Sequence, residues 1–290
     1  MIAAALVAGV ALEGMSLESA NIVGFNSIKL NDSNYTMAGG TFATVANENN
    51  QFTFRDVKVQ PKAGTTFRWS GRWVGGITPP AFEVKVLKDD GSANKTYYWK
   101  YARVGTQSAY EDVACWVKYE GGSYVDLTDA ELDEKFNAGQ AFWIQGAGHS
   151  LQPAGRVDKR PVDFQMNAAN FTAVGNGTPV DLTLGDLSVV PKEGTSFRWA
   201  GRWVGGITPP AVEVKFLKDD GTAEKTYYWK YARVGTQSVY EDVACWVKYE
   251  GGSYVDVTKE DLATEVPAGK GLWIQGAGHS LHIPSPLPAE

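Results

Sequence analysis

One duplication constrains this chain more than any other feature of it. Residues 61–151 realign on residues 191–281 without a gap at an offset of 130, and 71 of the 91 positions are identical. A period of that length is a domain rather than one repeat of a solenoid, so each copy is expected to carry its own core. The match continues more weakly upstream, where Asn34-Tyr-Thr resembles Asn170-Phe-Thr at a slightly different offset. The chain accordingly divides into an apolar segment (1–20), a first unit (21–153), a second unit (154–285) and a tail (286–290). The joint falls near Gln152–Pro161.

Within a unit the pattern is that of strands. Phe82-Glu-Val-Lys-Val-Leu87 alternates apolar and charged residues with period two, as a half-buried strand does. Asp89–Asn94 reads as a hairpin loop into Lys95–Val104. Glu120-Gly-Gly, between Asp112–Tyr119 and Ser123–Leu127, is a tight-turn signal because glycine accepts positive φ. Thr128-Asp-Ala-Glu131 is a capping box for one short helical turn, and Thr258-Lys-Glu-Asp261 is its looser copy. The expected fold is all-β: two tandem homologous domains, each a β-sandwich or compact β-barrel with one short helical turn.

Composition narrows the function. Ten Trp, 13 Tyr and 12 Phe within a 43% apolar chain exclude disorder. A net charge of −6 is the wrong sign for a dedicated nucleic-acid binder. Met1–Leu12 is an uncharged apolar run of about the length of a secretory signal's hydrophobic region, too short to span a bilayer. Cleavage after Ala20 would begin the mature chain at Asn21, although the basic n-region is missing and Glu18 departs from the small-x-small rule. The other reading is a retained apolar helix packed on the body or on a neighbouring subunit. No other stretch reaches a transmembrane length.

Catalytic chemistry finds little to stand on. The histidines are His149, its copy His279, and His282. His149 and Ser150 are neighbours, and on a strand they point to opposite faces, a poor start for a nucleophile and its base. His149 therefore reads as a surface residue at a strand end. No Cys or His pair has metal-ligand spacing, and Asp89-Asp90-Gly91 lacks the carboxylate pattern of a calcium loop. Neither a cofactor nor a metal is expected, and the protein reads as a non-enzyme. Cys115 and Cys245 hold equivalent positions. Alternation places Cys115 with Val113, Val117 and Tyr119 on an apolar face, as a buried small hydrophobe.

The tryptophans are the informative residues, five per copy: Trp69, Trp73, Trp99, Trp116 and Trp143, repeated at Trp199, Trp203, Trp229, Trp246 and Trp273. Trp69 shares a face with Phe67 and is assigned inward. Trp116 shares its face with Asp112, Ala114 and Lys118, opposite Val113, Cys115 and Val117. Trp143 lies opposite Phe142 and Ile144, as Trp273 lies opposite Leu272 and Ile274. Tyr97, Trp99 and Tyr101 form a stripe between Lys95 and Arg103, repeated as Tyr227, Trp229 and Tyr231. These ten residues (Tyr97, Trp99, Tyr101, Trp116, Trp143, Tyr227, Trp229, Tyr231, Trp246, Trp273) are the candidate ligand-binding set. Flat exposed rings with polar neighbours suit pyranose faces, and equally a protein interface. Packing beneath loops such as Gly75–Pro80 is the plain alternative.

Asn21-Ile-Val-Gly-Phe25 after an apolar leader, and Ala138-Gly-Gln-Ala-Phe-Trp-Ile144 at the end of a unit, resemble a group of secreted bacterial repeat proteins of the Verrucomicrobia and Lentisphaerae type. The resemblance rests on these two short motifs and implies export; it carries no site residue. The resulting expectation is an exported, non-catalytic protein with partners of two kinds. It binds polysaccharide or another surface polymer bivalently, or it is a self-assembling subunit of a filament or surface layer, with copies of itself as the partner. Neither nucleic acid nor a membrane span is expected.

Overall fold

A computed structural model describes residues 23–31, 35–39, 51–69, 82–88, 92–137, 139–146, 148–157, 160–167, 170–199, 210–218, 222–276 and 278–285. The apolar segment 1–20, Trp73, Trp203, the Gly75–Pro80 loop and the tail from 286 lie outside these residues. The fold is all-β, built from antiparallel sheets with two short α-helical turns among the described residues.

The expected alternation is realised in Phe82–Leu87, where Phe82, Val84 and Val86 are buried. This strand lies inside a seven-stranded sheet. From one edge its order is Ser123–Asp126, Ala109–Glu120, Ala93–Thr106, Phe82–Leu87, Ala141–Gln145 and Tyr35–Gly39, with Arg68–Trp69 pairing parallel to Ala93–Thr106. A second sheet centres on Ser150–Arg156, whose Ser150 pairs with Lys29 on one side and Gln60 on the other. Phe54 from a 3-10 turn and the Phe52/Phe136 ribbon close the space between the sheets. Equivalent elements recur in the second half, from Thr172–Gly175 through Gly271–Gln275, Val212–Leu217, Ala223–Gly235 and Tyr240–Glu250 to Ser253–Asp256. A separate core fills that half.

Local signals are obeyed closely. Gly121 and Gly122 turn the hairpin with φ of 58° and 84°, a conformation that costs glycine nothing. Both capping boxes form: the Thr128 and Thr258 side chains accept from the amides of Glu131 and Asp261. Ser150–Arg156 corrects the unit boundary. Its C-terminal half pairs with Val23–Phe25 of the first unit, so the joint lies beyond Arg156 rather than at 153.

The face assignment of the aromatic strands is reversed. Tyr97, Trp99, Tyr101 and Trp116 are 2–8% exposed and form the first core together with Phe54 and Phe82; Tyr227, Trp229, Tyr231 and Trp246 do the same in the second. Trp99 and Trp116 are cross-strand partners meeting edge to face at 4.9 Å, and the Trp116 indole donates to the Val57 carbonyl at 3.2 Å. Trp229 and Trp246 repeat this at 4.8 Å, with Leu187 as acceptor at 2.8 Å. The physical reason is area: each indole buries roughly 150–250 Å², far more than Val113 or Cys115 offers from the other face. Val117 is nonetheless fully buried, roofed on the outer side of the sheet.

The two halves meet along a seam with pseudo-two-fold symmetry. The Gly39 amide donates to the Gly269 carbonyl at 2.8 Å, and reciprocally the Gly175 amide donates to Gly139 at 2.8 Å. Isolated bridges join Ala38 to Lys270 and Gln140 to Val174, again an exchanged pair. The backbones touch: a Cβ on Gly39 would stand 2.8 Å from the Gly175 Cα. Met37 packs on Gly271, whose Cβ would overlap its side chain at 2.2 Å. The equivalent residues are Ala173 and Ala141, in the same apolar cluster with Met37. A seam in which residue i meets j and the copy of i meets the copy of j has the geometry of an isologous dimer interface, here within one chain.

Trp116→Ala and Trp246→Ala are each expected to lower unfolding free energy by roughly 3–5 kcal/mol through cavity formation, measured by urea denaturation. A loss below about 1 kcal/mol would place the ring outside the core.

Candidate outer-face aromatic surface

Because Tyr97, Trp99 and Tyr101 turn inward, Tyr98 and Lys100 must turn outward. Cross-strand register then defines the outer face of the seven-stranded sheet. One row runs Tyr35, Gln145, Glu83, Tyr98, Val117 and Asp126. Next to it Met37, Trp143, Lys85 and Thr96 form a second row, and Lys100 pairs with Cys115.

Three tyrosines roof Val117. Tyr98 meets Tyr124 edge to face at 5.2 Å, and Tyr124 meets its cross-strand partner Tyr119 at 5.1 Å. Tyr119 is 51% exposed while the other two are half-buried. Tyr228, Tyr254 and Tyr249 repeat the cluster at 5.2 and 5.1 Å, with Tyr249 again 51% exposed. Desolvation raises the phenol pKa values of Tyr98 and Tyr124, as it does those of Tyr228 and Tyr254.

Of the ten sequence candidates only Trp143 and Trp273 reach this face. They are half-buried and meet each other across the seam at 6.3 Å. Tyr35 stacks on Trp143 at 5.5 Å and Phe171 meets Trp273 at 6.5 Å, so four rings cross the seam in series. Lys85 caps the Tyr35 ring at 4.8 Å and Lys215 caps Phe171 at 4.2 Å, a cation–π arrangement. The other eight candidates are core residues and cannot offer their ring faces to a ligand in the folded protein.

Charge on the outer face is paired within the protein. Lys85 reaches Glu83 at 3.2 Å and the Tyr35 hydroxyl at 2.9 Å, and Lys215 reaches Glu213 at 3.3 Å. Lys100 and Lys230 hold Asp126 and Asp256 at 2.5 and 2.6 Å. Cys115, expected on the buried face, lies half-buried on this outer one and donates weakly to Asp126 at 3.6 Å. Desolvation pushes its thiol up to about 11, which disfavours the reactive thiolate.

A smaller cluster marks the protruding end of the Ala93–Glu120 hairpin. Trp69, expected inward, is half-buried there and meets the 52%-exposed Tyr110 at 5.9 Å. The Arg103 guanidinium lies 4.1 Å over the Tyr110 ring and grips both Asp112 oxygens at 2.7 and 3.0 Å, which lowers the Asp112 pKa.

The histidines also depart from expectation. His149 and His279 are 2% and 3% exposed, each stacked on a core tyrosine: Tyr101 at 5.7 Å and Tyr231 at 5.6 Å. The buried imidazoles fix the strand end before Ser150 and Ser280: His149 Nδ1 lies 2.6 Å from the Gly146 carbonyl, and His279 Nδ1 accepts the Lys192 amide at 3.2 Å. Among the described residues, no three His, Cys, Asp or Glu side chains gather as metal ligands, and no helix is long and apolar enough to cross a membrane. No family model, curated protein or solved structure matches the chain.

Desolvation lowers the His279 pKa below its ordinary value. Between that folded value and about 6.5 the unfolded chain binds the extra proton, so stability is expected to fall as pH drops below about 6.5 and to level off below the folded pKa. Urea midpoints measured across this window should show the slope, and His279→Gln should flatten it. An equal slope in that variant would assign the effect to other groups.

Proposed function

We propose that the protein is an exported, non-catalytic binder of polysaccharide or a similar extended surface polymer, and that it binds through the outer faces of its two seven-stranded sheets. The carrying observation is the duplicated aromatic surface: the tyrosine clusters Tyr98/Tyr124/Tyr119 and Tyr228/Tyr254/Tyr249, with Trp143 and Trp273 between them. Rings left partly exposed on a sheet face, where charged side chains are already paired, favour contact with the apolar faces of a hydroxylated polymer over contact with an ion. Export is supported by the uncharged apolar run Met1–Leu12. A second reading is assembly with copies of itself, a contact that could cover the exposed Phe25 and Val239 side chains.

Retention on a panel of insoluble polysaccharides tests the first reading, with sedimentation of the same samples testing the second. Trp143→Ala combined with Trp273→Ala is expected to cut retention by roughly tenfold or more, with a smaller loss of stability than either core tryptophan causes. Unchanged retention, or none by the wild-type chain on any polymer, would reject binding through this face; concentration-dependent sedimentation without retention would favour assembly.

A further inference from the structure

The seam is symmetric in its backbone and asymmetric in its side chains. Met37 and Ala173 occupy equivalent positions in the two halves, and so do Ala141 and Gly271. Met37 pairs with Trp143 and Ala173 with Trp273, each within its own sheet. Across the seam Met37 rests on Gly271. A Cβ on that glycine would stand 2.2 Å from the Met37 Cγ and 2.9 Å from its Cβ. Neither atom can swing aside, because both lie next to the backbone. At the equivalent place the seam holds two alanines, Ala173 and Ala141, in one apolar cluster with Met37. All three are buried.

We propose that this asymmetry is a pairing code: it directs the first half onto the second half and rejects a like half of a second copy. Backbone symmetry does not make that choice. Both halves present the same groups, the Gly39 amide with the Gly139 carbonyl and the Gly175 amide with the Gly269 carbonyl. The reciprocal hydrogen bonds therefore suit any two halves, and the side chains decide. Two first halves would set each Met37 against an Ala141, whose Cβ fills the space that Gly271 leaves, so the clash would occur twice. Two second halves would set each Ala173 against a Gly271 and leave a gap at both places. Only the unlike pairing seats the methionine. The tether between the halves adds a high effective concentration, but it does not exclude a like half once chains are crowded. Steric rejection does. The chain is thus closed on itself at the seam, and any assembly of copies must use other surfaces.

The test uses the full chain, with amide exchange at Gly39 and Gly175 reporting on the seam and at Val84 and Val214 on the two cores. Gly271→Ala should speed exchange at both glycines by roughly tenfold or more while the core amides keep their protection. Adding Met37→Ala to Gly271→Ala should restore most of the lost protection, because both places then hold the alanine pairing already present at Ala173 and Ala141. In that double variant like and unlike halves fit equally well, so the code is gone. Two differently labelled samples of one chain are then mixed in urea, refolded at high concentration and separated by sedimentation velocity. The wild-type chain should return as monomer, whereas the double variant should give mixed-label dimers and larger species. Unchanged glycine exchange in Gly271→Ala would overturn the steric fit. Mixed-label species formed equally by both chains, with protection restored in the double variant, would overturn the pairing code.

Discussion

The architecture of the whole chain hangs on two backbone hydrogen bonds, Gly39 to Gly269 and Gly175 to Gly139, and on the absence of side chains where the strands cross. Tyr35–Gly39 and Thr172–Gly175 are edge strands of their own sheets. An uncovered edge presents unpaired amides and carbonyls and is a site of unwanted pairing. Here the glycine end of each edge is bonded to the other half, so one contact closes part of both edges. Close approach is possible because any Cβ at Gly39 or Gly175 would strike backbone, at 2.8 and 2.6 Å. Gly139 and Gly269 supply the accepting carbonyls from φ of 81° and 75°, a region that other residues reach only at a cost. What Met37 fills by lying on Gly271 has its counterpart in the paired small residues Ala173 and Ala141.

Much of the fold was legible in the sequence. Strand alternation at Phe82–Leu87, the Gly121-Gly122 turn and the two threonine caps are local rules, and each held. The aromatic faces were misread because Ala109–Glu120 is apolar on both sides. Val113, Cys115 and Val117 compete for the core side with Trp116, whose indole buries more area than any one of them. The correction was within reach of the sequence: the two-glycine hairpin sets Tyr119 opposite Tyr124, and once Trp99 is placed inward Tyr98 must point out. The contact between Trp143 and Trp273 was beyond local pattern, since it depends on how two complete sheets meet.

Burial and partial exposure divide the aromatics by role. The Trp99–Trp116 and Trp229–Trp246 pairs, each with an indole donating to a carbonyl of the opposing layer, fasten the two layers of each sandwich. The tyrosine clusters and the four rings across the seam lie on the other side of the same sheets and are only partly covered. A sheet that is apolar on both faces needs something over the second one. Tyrosine meets that need with an apolar ring and a polar hydroxyl, which tolerates water. The core, by contrast, can change little without loss of the fold.

Hydrogen exchange at the Gly39 and Gly175 amides tests the seam most directly. As uncovered edge positions these amides would exchange at rates close to those of exposed loops. Hydrogen-bonded across the seam, both should be protected, to a similar degree and together, at a level approaching that of neighbouring sheet amides such as Val84 and Val214. Rapid exchange at both, with the two cores still protected, would mean that the halves are not joined in this way.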